Sequence, residues 1–300
     1  MIKAKRPTKA VIAAAGFGTR FLPQTKAMPK EMLPLIDKPI IQYVVEALVK
    51  AGIRDIILVT GSNKRSIEDH FDEPATDLLE NLRAGGPKKQ PFIDQIQDIA
   101  GLANFVYVRQ KGGYGNAIPL LNVAHLIGNE PFIYTYADDI IEATPSHFEQ
   151  MIANFEELNG SILPCCKVID DDGYDRYGIV GGEQLRDGVI KATMIDEKPG
   201  KANAKSDLAS IGGYLFTPEI FEYLERLRDS QPDAPEFQIQ PIIKAMMDDG
   251  RPYFAYEIAN AEYFDTGNKL EYLKTVVDFA LRRDDVGADF RTWLEQRICK

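Results

Sequence analysis

The stretch from Lys9 to Pro34 reads KAVIAAAGFGTRFLPQTKAMPKEMLP, a short apolar run followed by a glycine-rich, basic loop. The run up to Ala15 has the length and composition of a buried β-strand. Glycines after such a strand let the backbone approach a phosphate and offer N–H donors that a β-carbon would obstruct. Arg20, Lys26 and Lys30 add cations that donate charge-assisted hydrogen bonds to phosphate oxygens. The stretch therefore predicts a phosphate-binding loop at the carboxyl end of a sheet strand.

Two better-known phosphate motifs do not fit this loop. A dinucleotide fingerprint needs a third glycine three residues after the second, where Phe21 stands. It also needs a helix that begins at once, whereas Pro23 and Pro29 prolong the loop. A P-loop is excluded because no Gly-Lys-Ser/Thr follows at the required distance. An ordinary strand-to-helix turn is the alternative that Gly16 and Gly18 would favour without the neighbouring cations.

Outward from this loop, strand and helix signals alternate through the first half of the chain. Apolar runs predict strands at residues 9–15, 56–60, 105–108 and 132–136. Helical spacing predicts helices at 39–51, at 62–71 with Ser62 as the N-cap, and at 117–127. Residues 72–101 have weak periodicity and predict an inserted, partly helical arm. This alternation predicts a parallel sheet covered by helices on both faces.

The second half of the chain has shorter strands separated by turn residues. Strands are predicted at 161–168, 178–181, 189–195, 209–216 and 253–258, in a more antiparallel region. Helices are predicted at 218–228, 238–247, 269–283 and 289–297. Since no internal repeat or long linker interrupts residues 1–300, we expect a single α/β domain.

Composition excludes several classes of protein. The 300 residues carry a formal net charge of −10, which disfavours a protein that neutralises many nucleic-acid phosphates. The three cysteines show neither metal-ligand spacing nor a disulfide framework, which favours a reducing compartment. No run approaches the roughly 20 apolar residues of a membrane span, and the apolar run after the basic N-terminus is too short for a secretion signal. We therefore expect a cytoplasmic protein with no membrane or nucleic-acid partner.

Several segments together resemble the signature of the sugar-nucleotide pyrophosphorylases. They are GFGTRFLP at 16–23, Lys26, PKEMLP at 29–34, DKP at 37–39, IQYVV at 41–45 and DFRTWLE at 289–295, so the resemblance spans almost the whole chain. It implies a Rossmann-like α/β nucleotidyltransferase fold with a mixed, mostly parallel sheet, a small antiparallel sugar-binding region and C-terminal helices. It also implies transfer of a nucleotide from UTP to glucose 1-phosphate, with Mg²⁺, in a homodimer or homotetramer.

The same resemblance implies how the chain is divided and which residues bind the nucleotide. Residues 8–145 would form the nucleotide-binding half, 146–262 the sugar-phosphate half, and 263–300 C-terminal helices that pack within the chain or between subunits. The nucleotide-binding residues implied are Ala14, Ala15, Gly16, Gly18, Thr19, Lys26, Gln110 and Gly115. A glutamine offers uracil both a donor and an acceptor. The loop at 111–116 is shorter than the family pattern, so its base contacts are expected to differ.

Nucleotidyl transfer brings two anions together, so neutralising their charge carries much of the catalysis. By resemblance Arg20, Lys30 and Lys198 are the catalytic cations, and Asp138 and Asp265 hold the metal. Mg²⁺ prefers a few protein oxygens completed by substrate phosphates and water. An aspartate in either position could instead be a helix cap or a solvated loop residue.

The sugar site implied by the resemblance consists of Gly178, Glu197 and Gly212. A carboxylate accepts sugar hydroxyl protons, and a glycine leaves room for a pyranose ring, although a glycine alone is more often a turn or bulge. Two alternatives to the UTP enzyme stay open. One is a transferase that uses dTTP, because thymine and uracil share a hydrogen-bonding edge; the other is a non-catalytic sensor of sugar nucleotides.

Overall fold

A computed structural model describes residues 5–168, 170–230 and 235–298. Up to Ala143 the strands are β1 Lys9–Ala14, β2 Pro34–Leu35, β3 Lys38–Pro39, β4 Asp55–Thr60, β5 Asn104–Arg109, β6 Phe132–Tyr136 and β7 Asp139–Ala143. The helices of this part are α1 Ile40–Lys50, α2 Arg65–Phe71, α3 Thr76–Ala84, α4 Gln90–Ala100 and α5 Ile118–Ile127.

The remainder of the described chain contains a second set of strands and helices. The strands are β8 Ser161–Lys167, β9 Gly178–Arg186, β10 Val189–Glu197, β11 Leu208–Ser210, β12 Tyr214–Phe216, β13 Tyr253–Glu257 and β14 Ala261–Asp265. The helices are α6 His147–Leu158, α7 Gly173–Arg176, α8 Ile220–Ser230, α9 Gln240–Asp248, α10 Lys269–Arg282 and α11 Gly287–Ile298.

One mixed sheet runs through both halves of the described chain. Its strand order is β11-β9-β10-β13-β8-β12-β6-β1-β4-β5. The strands β6, β1, β4 and β5 are mutually parallel, as the alternation in the sequence predicts. The short strand β12 pairs antiparallel with both β6 and β8 and so joins the two halves. The carboxyl ends of β1, β4 and β6 therefore meet at one edge of the sheet.

Helices cover both faces of this sheet, which confirms the predicted α/β class. Alternate residues of β1 point to opposite faces. Val11 belongs to the core under α5, α8 and α9, whereas Ile12 belongs to the core under α1, α2 and α6. Helix α6 begins with a capping box, in which Ser146 Oγ accepts from the Glu149 N–H and Glu149 Oε2 accepts from the Ser146 N–H.

The region between β4 and β5 departs from the prediction in two ways. Helix α2 begins at Arg65, and Ser62 lies in the preceding turn without capping a helix. The prediction of Ser62 as an N-cap is therefore wrong. The weakly periodic arm consists of two helices, α3 and α4, which are almost entirely exposed. The periodicity of α4 was underestimated, because Ile93, Ile96 and Ile99 recur at helical spacing and Ile93 is buried.

Residues 209–216 form two strands where the sequence predicts one. Gly212 and Gly213 interrupt the run with φ of +73° and +98°. At Gly213 a β-carbon would lie 2.3 Å from the carbonyl oxygen of Tyr134, so only glycine fits beside β6. A further strand, β7, was not predicted at all, and it pairs antiparallel with β14 outside the main sheet.

Helix α11 places Trp293 on the surface, with half of the side chain exposed and the ring stacked on Phe290. Of the two alternatives for the C-terminal helices, packing within the chain does not hold for Trp293, and packing between subunits stays a prediction. In the described part of the chain, no helix has the length and apolar character needed to cross a membrane.

Candidate active site

A cavity of about 510 Å³ opens at the carboxyl edge of the parallel strands. Its walls come from the loop after β1, the turn after β4, the loop after β5 and the end of β6. The lining residues include Ala13, Ala15, Gly16, Phe17, Lys30, Gly61, Ser62, Asn63, Gln110, Tyr114, Gly115, Asn116, Tyr136 and Asp138. The glycine-rich loop thus lies at the sheet edge where open α/β sheets bind ligands.

The residues predicted to bind the nucleotide are only partly brought together in this cavity. Ala15, Gly16, Gln110 and Gly115 line it. Ala14 does not, because its side chain points into the core on the opposite face of β1 and Ala13 lines the cavity instead. The Ala14 side chain thus does not reach the cavity, and its place among the nucleotide-binding residues stays a prediction.

Three other members of the predicted nucleotide set lie beside the cavity. Gly18, with φ of +65°, starts a 3₁₀ turn at Thr19, and a β-carbon on it would lie 3.0 Å from Lys30 Cβ. Its role is to let the loop pass close to the lysine. Thr19 and Lys26 are exposed and are absent from the lining of the cavity.

Lys30 points from a 3₁₀ turn at Lys30–Met32 toward Asp138, which follows β6. Its Nζ donates to Asp138 Oδ2 at 2.5 Å. Burial lowers the pKa of Lys30, but the carboxylates of Asp138 and Glu31 outweigh burial and raise it above its ordinary value. Lys30 is therefore a fixed cation on the wall of the cavity.

The next residue on this turn, Glu31, also borders the first cavity and forms a fully buried ion pair. Lys64 Nζ donates to Glu31 Oε2 at 2.7 Å, and neither side chain is exposed to solvent. Burial raises the pKa of Glu31 and lowers that of Lys64, while the attraction within the pair opposes both shifts. Glu31 Oε1 has no hydrogen-bond partner among the residues that the structure describes. The pair ties the Lys30 turn to the start of α2.

The loop after β5 supplies Gln110 and Gly115. Gln110 Nε2 donates to the Gly113 carbonyl at 3.3 Å. Gly115 has φ of +118°, and a β-carbon there would lie 2.2 Å from the Phe237 carbonyl oxygen. The chain must therefore have glycine at 115, because this loop packs backbone to backbone against the segment before α9.

A second cavity of about 420 Å³ adjoins the first, and Asp138 lines both. Its lining residues are Arg20, Asp138, Asp139, Asp175, Arg176, Tyr177, Lys198, Tyr263, Asp265, Gly267 and Asn268. The predicted residues Arg20, Lys198, Asp138 and Asp265 thus meet here from four distant segments. Arg20 Nη1 donates to the Gly267 carbonyl at 3.2 Å, which connects the glycine-rich loop with the segment after β14.

The pairing of β7 with β14 brings the carboxylates together. Asp139 lies opposite Asp265 in the register, and Thr266 Oγ1 donates to the Asp138 carbonyl at 2.7 Å. Asp265 is not a helix cap: its oxygens accept from the Gly267 N–H and from Asn268 Nδ2. The cap of α10 is Asn268, whose Oδ1 accepts from the Glu271 N–H at 3.0 Å.

The charges of Asp138, Asp139 and Asp265 act on one another across this cavity. Burial, followed by the nearby charge of Asp138, raises the pKa of Asp139 to about 7. Within the described ranges, no group of three or more His, Cys, Asp or Glu is arranged to hold a metal ion. Asp138 and Asp265 offer the oxygen ligands that a divalent cation takes together with water and substrate oxygens.

The predicted sugar residues lie at the edge of the second cavity or away from it. Gly178 pairs with Glu197 across β9 and β10, and a β-carbon on Gly178 would lie 3.3 Å from Glu197 Oε2. Glu197 Oε1 lies 3.4 Å from Lys198 Nζ. Gly212 packs against Ile141 and the His147 ring, outside the lining of the cavity. The close approach to β7 explains why glycine stands at 212, and a contact of Gly212 with the sugar stays a prediction.

Sequence reasoning missed several residues of both cavities. The turn Gly61-Ser62-Asn63 could have been found, because it follows β4, which neighbours β1 in a parallel sheet. Arg176 and Tyr263 had no comparable signal. They reach the second cavity through α7 and β14, whose positions depend on long-range packing.

The chain is similar to known proteins over most of its length. Residues 9–280 match the family model described as nucleotidyl transferase. The chain belongs to the nucleotidyl transferase family. This nucleotidyl transferase is 40% identical over 294 residues to a UTP–glucose-1-phosphate uridylyltransferase of Staphylococcus epidermidis, covering 97% of this chain and 99% of the relative.

Two solved structures resemble this nucleotidyl transferase in fold. A UDP-glucose pyrophosphorylase complexed with UDP-glucose has a TM-score of 0.80 and 36% identity, covering 92% of this chain and all of the other. A UTP-bound UGPase from Acinetobacter baumannii has a TM-score of 0.83 and 32% identity, covering 96% and 98%. The predicted nucleotidyltransferase fold is thereby confirmed for the chain.

Proposed function

We propose that this nucleotidyl transferase makes UDP-glucose and pyrophosphate from UTP and glucose 1-phosphate. The observation that carries the proposal is that Asp138 lines two adjoining cavities, with Lys30 paired to it on one side. The first cavity contains the glycine-rich loop and Gln110, which suit a nucleoside triphosphate. The second contains Arg20 and Lys198, which suit a sugar phosphate. The names of the similar proteins support UTP and UDP-glucose as ligands.

In this reaction a phosphate oxygen of glucose 1-phosphate forms a bond to the α-phosphorus of UTP. The bond from that phosphorus to the bridging oxygen breaks, and pyrophosphate leaves. Lys30 would neutralise charge beside the nucleotide, and Arg20 and Lys198 would hold the attacking phosphate against its natural repulsion from UTP. No covalent enzyme intermediate is required.

Asp138 and Asp265 would hold the divalent cation, for which we propose Mg²⁺. Such a cation, when bound, screens the phosphate charges. The chain itself supplies donors that hold both carboxylates in position. The Lys30 ammonium on Asp138 and the Gly267 and Asn268 donors on Asp265 serve that purpose. We further propose a homodimer or homotetramer that acts in the cytoplasm.

The direct test is to measure pyrophosphate release with Mg²⁺, each nucleoside triphosphate and several sugar 1-phosphates. We expect the fastest release with UTP and glucose 1-phosphate. If release is faster with dTTP than with UTP, UTP is not the preferred substrate and the proposed nucleotide is wrong. Binding of UTP or UDP-glucose without turnover of any pair would identify a sensor and refute the enzyme.

Replacement of Asp138 tests the shared carboxylate. Asp138→Asn preserves the side-chain shape but removes the charge, so we expect a loss of at least about 10²-fold in kcat with an unchanged fold. The matched control is Asp98→Ala, an exposed aspartate on α4 outside both cavities, which should leave kcat unchanged. Near-normal turnover of Asp138→Asn would remove Asp138 from the mechanism.

A further inference from the structure

Two aromatic side chains lie beside each other at the mouth of the first cavity. Phe17 belongs to the loop after β1 and Tyr114 to the loop after β5. Their ring centroids lie 6.2 Å apart with an interplanar angle of 57°. Phe17 is 57% exposed and Tyr114 is 63% exposed, although both line the cavity. Large apolar rings in this position leave ring surface that a ligand can cover.

The backbone under each ring is fixed, so the exposure does not come from an unstructured loop. The Phe237 N–H donates to the Tyr114 carbonyl at 2.8 Å, and Gly115 packs against the Phe237 backbone. On the other side, Thr25 Oγ1 donates to the Gly18 carbonyl at 2.7 Å, next to Phe17. Each ring therefore projects from an anchored segment toward the opening.

The polar groups of the cavity lie farther from solvent than the two rings. Lys30 and Asp138 form their ion pair with most of each side chain buried. Gln110 lies on the same loop as Tyr114 and also lines the cavity. This order, with the Lys30 ammonium inside and aromatic faces at the mouth, matches a ligand that has phosphates at one end and a planar ring at the other.

We propose that Phe17 and Tyr114 form an aromatic clasp that holds the base of the bound nucleoside triphosphate. This inference rests on the proposed function and adds two base-contacting residues to it. Stacking on an aromatic face is tolerant of base identity, so the clasp supplies affinity while the discrimination between bases comes from edge contacts such as those of Gln110.

The clasp is tested by measuring Kd for UTP in Phe17→Ala, Tyr114→Ala and Tyr114→Phe. Loss of one stacking face should raise Kd by about 5- to 100-fold, whereas Tyr114→Phe keeps the face and should stay within about twofold of the wild type. The matched control is Phe92→Ala, because Phe92 is 52% exposed on α4 and does not line the cavity. Kd values for Phe17→Ala and Tyr114→Ala equal to that of the control would overturn the clasp.

Inorganic tripolyphosphate separates stacking from damage to the phosphate loop, because it has no base. We expect both alanine variants to bind it as the wild type does. An equal loss for tripolyphosphate and UTP would show damaged loops and overturn the clasp. A wild type that binds another nucleoside triphosphate in place of UTP, and loses that affinity in Tyr114→Ala, would refute the proposed substrate while supporting the clasp.

Discussion

Glu31 and Lys64 show at the scale of single residues how burial and charge oppose each other. Each would be costly to bury alone, and their 2.7 Å contact compensates for part of that cost. Their neighbour Lys30 needs a fixed backbone to keep its ammonium on Asp138. The buried pair of Glu31 and Lys64 holds that backbone. The contribution of the pair to stability can be measured by denaturation, separately from any effect of the pair on turnover.

We expect Lys64→Met to lower the free energy of unfolding by about 3–5 kcal/mol, because it leaves the Glu31 carboxylate buried and unpaired. The double variant Glu31→Met/Lys64→Met should recover most of this loss. Urea denaturation measures both. The control is Lys244→Met, which breaks the exposed pair with Asp248 and should cost less than about 1 kcal/mol. A Lys64→Met cost no greater than that of the control would contradict the argument.

His147 is buried between β7 and the Gly212 turn, and neither ring nitrogen has a hydrogen-bond partner in the described residues. Burial lowers its pKa to about 3, from about 6.5 in an unfolded chain. Between these values the unfolded chain binds a proton that the folded chain excludes. The stability linked to the neutral His147 ring is therefore fully present above the unfolded pKa. It falls as the pH decreases toward 3.

From this shift we expect the free energy of unfolding to be about 2 kcal/mol lower at pH 5 than at pH 7 because of His147. His147→Leu should lose that part of the pH dependence, as measured by urea denaturation at both pH values. His125→Leu, at an exposed histidine, is the control. If His147→Leu has the same dependence as the wild type, the imidazole is not the group responsible.

At the scale of elements, the sequence predicted where strands and helices lie better than how they end. The strands β1, β4, β5 and β6 and helix α1 were found because their apolar spacing is strong. The break between β11 and β12 was missed, because in the sequence Gly212 and Gly213 look like glycines tolerated inside a single strand. Their role depends on β6 and β7, which are distant in the chain.

Gly213→Ala tests that tertiary requirement against a matched glycine. Both Gly213 and Gly250 have positive φ, but a β-carbon at Gly250 meets no atom within 4 Å. Gly250→Ala should cost about 1–2 kcal/mol of unfolding free energy from backbone conformation alone. Gly213→Ala should cost a further 1–3 kcal/mol or so from its clash with β6. Equal costs would show that β6 can yield to the added methyl group.

At the scale of the whole molecule, the two predicted halves, for the nucleotide and for the sugar phosphate, share one sheet. Strand β12 lies between β6 and β8, so the two halves cannot separate without breaking its pairing. The division at residue 145 stays a prediction about function. It is not a boundary in the sheet.

We expect calorimetry to give a single unfolding transition for both halves. UTP should raise the midpoint temperature of that one transition. At a hundred times its Kd, a ligand that binds only the folded chain adds about 2.7 kcal/mol of stability. The control ligand is glucose, which lacks the phosphates that the cations would bind. Two transitions, of which UTP moves only the first, would indicate halves that unfold independently.

From the sequence alone we could predict a phosphate-binding loop, the α/β class and the charged candidates, because these predictions depend on local spacing and residue chemistry. Only the tertiary structure decided which candidates meet. Lys30 and Asp138 are 108 residues apart, and Thr266 reaches back 128 residues to the Asp138 carbonyl. Such meetings follow from strand order and from the register of β7 with β14, about which spacing along the chain carries no information.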